Sequence, residues 1–309
     1  MKLLSYLGAD AALRCGALVG TRVVDLTDAC AELDVPQAVL DELRRRGAAP
    51  APGGSMRALQ AGPAGLARLA GTVREAVARG ALDRCADVAG LQLLAPVPRP
   101  GKIVAVGRNY GAHARETGSE PADVPRLIAK LPSSVVGPGA RIRPPAAVRK
   151  LDFEIELAVV IGVFAREVPR DRALQAVAGY TILDDLSARE FQFDTTPPQT
   201  TFAKSMDGFC PMGPWLVTKD EMEDPQCLEL RCEVNGVTMQ RAGTADMLFP
   251  VDRLIEYITR HMTLEPGDVI ATGTPAGSGA FRDPPAWLAP GDRIRMEISG
   301  LGVLEHEIA

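Results

Sequence analysis

The sequence predicts a mixed, β-rich α+β protein, and three observations support this. Segments with the alternating pattern and the β-branched content of strands outnumber helical segments. The strands do not alternate with helices in a βαβα rhythm, which argues against a doubly wound parallel sheet. Pro-Gly turns followed by Asp, at 266–268 and 290–292, separate the last strands. The chain of 309 residues is long enough to bury a large core without disulfides.

The N-terminal part is predicted to form a small α+β domain. Its expected elements are strands at 2–6, 13–19 and 22–26, a helix after Pro36, and a second helix at 64–78. The following segment, 94–101, contains three prolines and must be extended, because each proline fixes its own φ and restricts the residue before it. We therefore predict a small domain at 1–97 and a larger one at 98–309.

The larger domain is predicted to consist mainly of antiparallel strands. They are expected at 102–106, 153–161, 179–183, 215–218, 228–234, 269–272, 293–298 and 303–308. One helix, 251–262, has Leu254, Ile255 and Ile258 at the spacing of a buried helix face.

Composition excludes several classes of function. With 34 Lys and Arg against 39 Asp and Glu, the net charge of -5 leaves no excess of positive charge for phosphates, so we expect no nucleic-acid partner. No run of about 18 apolar residues is present, so no membrane partner is expected either. The six cysteines form no C-x-x-C pair, and Asp10 and Arg14 interrupt the apolar start of the chain. Both observations indicate a cytoplasmic protein.

Two glutamates, Glu154 and Glu156, lie two positions apart in a predicted strand, so their side chains share one face. The strand then becomes wholly apolar, and two ionised carboxylates entering a core are costly without a cation. Alone, an E-x-E pair more often faces water on an edge strand. A second acidic site, Asp184 and Asp185, follows another apolar strand. Together these carboxylates indicate a hard-oxygen site for Mg²⁺, Mn²⁺ or Ca²⁺ and not for zinc.

His113 and Glu116 lie three residues apart, after the strand at 102–106. If this segment is helical, they share a face, and the carboxylate can orient an imidazole that activates water. By itself, H-x-x-E is common and usually means a surface pair. The chain has only three histidines, however, and we expect the other two, His261 and His306, to be structural.

Two further features complete the candidate site. Lys204 could stabilise an oxyanion or an enolate, and the loop that begins at Gly273 and Thr274 could offer N–H groups and a hydroxyl to a substrate carboxylate. Each has an ordinary alternative, because a lone lysine is usually exposed to solvent and a T-G-T-P segment is usually a turn.

Together these segments resemble the fumarylacetoacetate hydrolase family over about residues 100–309. The shared motifs, in chain order, are G-R-N-Y-x-x-H-x-x-E, D-F-E-x-E-L-A-V-V-I-G, G-Y-x-x-x-D-D-x-S-A-R-E, A-K-S-x-D-x-F-C-P-x-G-P and M-T-L-E-P-G-D-V-I-A-T-G-T-P-A-G. The resemblance implies a catalytic domain with the family's β-roll or sandwich fold, preceded by a small variable domain. It also implies a homodimer.

The resemblance assigns roles to individual residues. It implies Mg²⁺ or Mn²⁺ on Glu154, Glu156 and Asp185, with Asp184 as the second choice for the aspartate and Ca²⁺ as an ion that a crystal could show. The catalytic residues would be His113, Glu116 and Lys204. Those that bind substrate would be Arg189, Gln192, Tyr110, Thr274 and Gly273.

The leading hypothesis for the reaction is hydrolysis of a C–C bond in an acylpyruvate or another 2,4-diketo acid, with His113 as the base that activates water. A second hypothesis is isomerisation or decarboxylation of a small unsaturated 2-hydroxy or 2-keto dioate at the same metal site. A third, from another class, is a binding protein that keeps the fold without catalysis.

Overall fold

A computed structural model of the protein describes residues 1–51, 53–120 and 122–309. Within these ranges the α-helices are α1 (Thr27–Ala31), α2 (Gln37–Arg45), α3 (Gly54–Gln60), α4 (Gly62–Ala78), α5 (Gly111–Glu116), α6 (Arg189–Phe193), α7 (Thr200–Ala203) and α8 (Val251–His261). The first ten strands are β1 (Lys2–Leu7), β2 (Leu13–Val19), β3 (Arg22–Asp25), β4 (Ala86–Asp87), β5 (Gln92–Leu94), β6 (Ile103–Gly107), β7 (Arg126–Lys130), β8 (Val135–Val136), β9 (Arg141–Ile142) and β10 (Leu151–Asp152). The remaining strands are β11 (Ile155–Ile161), β12 (Val177–Asp184), β13 (Ser187–Ala188), β14 (Cys210–Thr218), β15 (Glu229–Val234), β16 (Val237–Gly243), β17 (Val269–Ala271), β18 (Arg293–Ile298) and β19 (Gly302–Ile308).

Two sheets dominate the described part of the chain. The larger has the order β4-β3-β2-β1-β14-β12-β11-β17-β6-β7, with β5 beside β1 and β8 beside β14. The smaller has the order β16-β15-β18-β19-β9, and β10 pairs with β13 separately. Most pairs are antiparallel, and the parallel pairs are β8 with β14, β6 with β17 and β9 with β19. The prediction of a mixed, β-rich fold with mostly antiparallel strands is confirmed.

The central strand β11 is buried on both faces. Ile155 and Leu157 on one face belong to a core shared with α8 and the smaller sheet, which includes Ile255 and Leu230. Ala158 and Val160, on the other face, pack in a second core with the N-terminal helices. A strand covered on both sides has a continuous apolar sequence, and this explains the unbroken run that the sequence shows here.

Most predicted strands are present, and the misses have a physical cause. Among the strands longer than three residues, the sequence did not predict β7 or β16; both carry basic or polar side chains and are partly exposed, and the longest apolar run in β7 is the three residues 127–129. The strand predicted at 153–161 is interrupted, and β11 begins only at Ile155. The helix predicted at 251–262 is confirmed as α8. Across the described residues, no helix has both the length and the apolarity that crossing a membrane requires.

The two predicted domains share a sheet. Strand β1 pairs with β14, with Lys2 opposite Val217 and Leu3 opposite Leu216, so the larger sheet continues across the boundary that we predicted at 97/98. The segment after β5 is not regularly extended, because residues 96–99 form bends, and Ala95 and Val97 are buried in it. The division into 1–97 and 98–309 stays a prediction.

The shared sheet leads to a prediction about unfolding. Because the N-terminal strands and the catalytic strands bury one another, we expect a single thermal transition in calorimetry, with equal calorimetric and van't Hoff enthalpies. Two separate transitions, one of them retained in a fragment that begins at residue 98, would show instead that the two parts unfold independently.

Candidate active site

The site begins where the predicted strand is interrupted, just before β11. Here backbone amides bind side chains instead of a neighbouring strand: the Glu154 N–H donates to Asp184 Oδ1 at 2.8 Å, and the Ile155 N–H donates to Gln240 Oε1 at 3.1 Å. These side chains satisfy amides that would otherwise be buried without partners. Glu154 is therefore held outside the regular ladder while Glu156 lies within it.

Strand pairing brings a third carboxylate to the two glutamates. In the antiparallel pair β11–β12, Ile155 lies opposite Asp184, so the next residues outward, Glu154 and Asp185, meet beyond the strand ends. The Asp185 N–H donates to the Glu154 carbonyl at 2.9 Å. One oxygen from each of Glu154, Glu156 and Asp185 lies within 4.8 Å of the others, and all three residues are buried.

Three buried cations surround these carboxylates. Lys204 Nζ donates to Glu154 Oε2 and Asp185 Oδ2, each at 2.7 Å, and to Ser187 Oγ at 2.8 Å. Lys130 Nζ lies 2.8 Å from Asp185 Oδ1. The Arg189 guanidinium donates to Glu154 and, through Nε at 2.8 Å, to Asp152 Oδ2. All three donors on Lys204 Nζ are therefore in use.

The two glutamates differ in their electrostatics. Burial alone would raise the pKa of Glu154, but Arg189 and Lys204 outweigh it and hold that pKa well below its usual range. Glu156 forms no ion pair with a described residue, and it accepts one hydrogen bond, from the Gly273 N–H at 2.8 Å. Burial, and then the charges of Asp185 and Glu154, raise the pKa of Glu156 well above its usual range.

This arrangement fits a divalent cation. The cluster contains five buried carboxylates, from Asp152, Glu154, Glu156, Asp184 and Asp185, and three buried cations, from Lys130, Arg189 and Lys204. With every group ionised, two negative charges remain, and one divalent ion neutralises them. The donor set is oxygen only, which suits Mg²⁺ or Mn²⁺.

The raised pKa of Glu156 leads to a prediction about stability without metal. Between the usual glutamate pKa of about 4.3 and the raised folded value, the folded state holds a proton that unfolding releases. This contribution to the free energy of unfolding therefore falls as pH rises through that window. With EDTA present, we expect E156Q to match the wild type near pH 4 and to have the higher Tm at pH 8. A Tm difference that does not change with pH would contradict this prediction.

His113 and Glu116 lie together on α5, the short helix after β6. His113 Nδ1 lies 2.7 Å from Glu116 Oε1, and Glu116 also accepts the Gly277 N–H at 3.0 and 3.2 Å. His113 is buried, with its ring against the edge of Phe281. Because Nδ1 is occupied by Glu116, Nε2 is the ring nitrogen that remains for proton transfer.

A single cleft that opens to solvent brings the three predicted metal ligands together with two predicted catalytic residues. Its lining includes Glu154, Glu156, Asp185, His113 and Lys204. The geometry therefore offers a place for one cation, with a buried histidine in the same cleft.

Comparison with known proteins identifies the family. Residues 102–309 match the family model described as the C-terminal domain of fumarylacetoacetate (FAA) hydrolase. The chain belongs to the fumarylacetoacetate hydrolase family. Over 215 residues it is 43% identical to "Oxaloacetate tautomerase FAHD2A, mitochondrial" from Bos taurus, an alignment that covers 70% of this chain and 68% of the relative.

Solved members of the fumarylacetoacetate hydrolase family have the same fold. The 2-hydroxyhepta-2,4-diene-1,7-dioate isomerase from Mycobacterium marinum is 40% identical, with a TM-score of 0.64 over 73% of this chain and 80% of that one. The maleylpyruvate hydrolase from Sphingobium sp. SYK-6, solved with manganese(II) and pyruvate, is 30% identical, with a TM-score of 0.73 over 100% of this chain and 99% of that one. The predicted family fold is confirmed, and the chain is a member of a family of enzymes.

The predicted substrate-binding residues have different positions. Arg189, Gln192 and Thr274 line the cleft. Arg189 NH1 donates to Gln192 Oε1 at 2.7 Å, and its other nitrogens bind carboxylates, so the guanidinium holds the site together. Tyr110 and Gly273 are not among the described residues that line the cleft. Tyr110 is buried in the core, and the Gly273 N–H is used by Glu156. The substrate role of all five residues stays a prediction.

The loop at Gly273 is shaped by close backbone contacts. Gly273 has φ of +98°, and a Cβ there would lie 2.7 Å from the Cβ of Asn109 and 2.8 Å from the carbonyl oxygen of Val106, so only glycine fits. The next residue, Thr274, donates its hydroxyl to the carbonyl of Ile155 at 2.9 Å. The loop therefore positions β11 and its carboxylates.

Several residues of the site were missed by the sequence analysis. Lys130 and Asp152 are buried partners of the predicted ligands, and Arg108 and Arg126 line the cleft. Asp152 had a usable signal, because it lies two positions before Glu154 and continues the period of the E-x-E pair. Arg108 belongs to the G-R-N-Y motif given above, whereas Lys130 and Arg126 carry no local signal, since a lone basic residue is usually exposed. His306, expected to be structural, is buried with Nε2 at 2.9 Å from Asp184 Oδ2.

Proposed function

We propose that this protein is a divalent-metal-dependent enzyme that interconverts the keto and enol forms of a small 2-oxo acid. The observation that carries the proposal is the convergence of Glu154, Glu156 and Asp185 with one buried histidine in a single cleft. An ion on these carboxylates would supply positive charge beside the 2-oxo oxygen and so stabilise an enolate.

The protein groups then need to move one proton. Lys204 is tied to two carboxylates and a hydroxyl, and Arg189 is tied to Asp152, Glu154 and Gln192. Among the described residues, the His113 ring has a hydrogen-bond partner only at Nδ1, so we assign Nε2 to remove the proton from C3 of the substrate and to return it to the oxygen on C2. Glu116 keeps the ring oriented and stabilises its charged form. The keto–enol interconversion consumes no second reactant and requires a single base.

Similarity to known enzymes supports this choice. The bovine relative named oxaloacetate tautomerase is 43% identical over 215 residues, and the Mycobacterium marinum isomerase is 40% identical over 73% of this chain, so a tautomerase and an isomerase are both among its similar proteins. Oxaloacetate is therefore the first substrate to test.

Hydrolysis of a C–C bond in an acylpyruvate is the second candidate, because the His113–Glu116 pair also suits the activation of water. His113 would then take a proton from water as its oxygen attacks the distal carbonyl carbon. The bond between that carbon and C3 breaks, and its electron pair stays on C3, which is protonated to give pyruvate.

One experiment separates these candidates. The purified protein is mixed with enol-oxaloacetate and with acetylpyruvate, each with Mg²⁺, with Mn²⁺ or with EDTA. Tautomerisation predicts a metal-dependent acceleration in the loss of enol absorbance with no change in total oxaloacetate, and hydrolysis predicts pyruvate and acetate from acetylpyruvate. Acceleration that persists in full after chelation would contradict the metal site.

We further propose Mg²⁺ or Mn²⁺ as the ion, a homodimer as the assembly and the cytoplasm as the location. The manganese(II) in the structure of the maleylpyruvate hydrolase supports the choice of ion. All six cysteines are free, which fits a reducing compartment. The word "mitochondrial" in the name of the bovine relative makes the mitochondrion the competing location.

A further inference from the structure

Two arginines line the cleft without a role in the site described above. Arg108 follows β6 directly, and Arg126 begins the neighbouring strand β7, where it lies opposite Gly107. The aliphatic part of Arg126 passes over Gly107, with its Cδ 3.5 Å from the point where a Cβ would lie. Because Gly107 has no side chain, the Arg126 side chain can lie beside the entrance to the cleft. Both arginines contribute to the lining.

Arg108 has an unusual backbone conformation. Its φ is +59°, in the left-handed region, which is strained for a residue with a side chain. Such strain persists only where the surrounding structure imposes it. Here it directs the chain away from β6 at the cleft, next to the Asn109 side chain, which is fixed by bonds to the carbonyls of Phe249 and Thr272.

The two guanidinium groups lack negative partners. Arg108 is half-buried and Arg126 is exposed, and among the residues that the structure describes no carboxylate forms an ion pair with either of them, whereas buried Arg189 has two. Burial, and then the positive charge of Arg126, lower the pKa of Arg108. The two positive charges at the entrance to the cleft repel each other, and an anion bound between them would offset this repulsion. Arginine is also the side chain best suited to bind a carboxylate through two parallel hydrogen bonds.

The cleft therefore has two sites of opposite character. The three carboxylates form an acidic site that would hold an ion at the 2-oxo acid group, and the two arginines form a basic site. We propose that Arg108 and Arg126 bind a second carboxylate of the substrate and so select dicarboxylic 2-oxo acids over 2-oxo acids with a neutral distal end. This inference rests on the proposed function for the position of the 2-oxo acid group.

The test measures binding and does not depend on turnover. N-oxalylglycine carries a chelating oxalyl group and a distal carboxylate, and its glycine methyl ester differs only in the neutral distal end. With Mg²⁺ or Mn²⁺ present, calorimetry of the wild type is expected to give a lower Kd for the acid than for the ester.

R108M and R126M are each expected to weaken acid binding by about 10- to 100-fold and to leave ester binding unchanged. R126K, which keeps the charge, is expected to restore part of the preference, and R241M, at an exposed arginine on β16, is expected to change neither affinity.

The outcomes separate the inference from the proposed function. A preference for the acid that the arginine variants lose supports the inference, even if no tautomerase or hydrolase activity is found. Equal affinity of the wild type for acid and ester overturns it, and so does a preference that survives in the double variant R108M/R126M. If neither the acid nor the ester binds, the inference is contradicted as well.

Discussion

E156Q is expected to lose metal binding and, with it, metal-dependent turnover. Glutamine keeps the size of Glu156 and can still accept the Gly273 N–H, so the loop at 273–274 keeps its contact. It removes one of the three ligand charges. Substitution of a residue that only hydrogen-bonds a metal ligand lowers metal affinity by about 10- to 100-fold. Substitution of the ligand Glu156 itself is therefore expected to lower the affinity for the metal by at least about 100-fold. Turnover should fall by about 10³-fold, because the metal ion would stabilise the charge of the transition state by several kcal/mol and the variant loses this stabilisation.

The measurements are the Kd for Mn²⁺ by calorimetry and the rate of enol-oxaloacetate loss at saturating metal. Glu229, which is exposed on β15 and is not among the residues that line the cleft, provides the matched control E229Q, which should keep wild-type values. If E156Q bound Mn²⁺ as tightly as the wild type, the assignment of the metal site would be wrong. Glu156 suits this test better than Glu154, whose loss leaves Arg189 and Lys204 without a shared buried partner.

H113N is expected to lower kcat by about 10²- to 10⁴-fold, the usual contribution of a general base. The affinity for Mn²⁺ should not change, because the histidine is not among the three carboxylate ligands. His261, exposed at the end of α8, provides the matched control H261N. Separate measurements of kcat, KM and metal affinity distinguish a lost proton carrier from a disturbed site. A normal kcat for H113N would remove His113 from the mechanism.

E116Q tests the positioning of that base. Glutamine retains an oxygen for the Gly277 N–H but removes the charge beside the imidazole. We expect a smaller loss in kcat than in H113N, with KM and the Kd for Mn²⁺ unchanged. A parallel change in all three quantities would indicate that Glu116 only supports the fold of the loop at 277.

Much of the fold could be predicted from local patterns. The strands at 13–19 and 293–298 have the predicted bounds, and α8 ends one residue before its predicted end. The prediction failed where the backbone bonds to distant side chains. The break before β11 depends on Asp184 and Gln240, which are 30 and 85 residues away, and no local window includes them. The continuity of the large sheet depends in the same way on the pairing of β1 with β14.

The sequence by itself determined the chemistry that is available. The spacing of Glu154 and Glu156 puts two carboxylates on one face, and the spacing of His113 and Glu116 puts a base beside an acid, because strands and helices have fixed periods. Only the tertiary structure decided which groups meet. It brings Asp185 to the glutamates, places Lys130 among them, uses Gly273 as support, and leaves Arg108 and Arg126 in the cleft. Burial and unpaired charge depend on the whole environment of a side chain, and a local sequence pattern does not contain that environment.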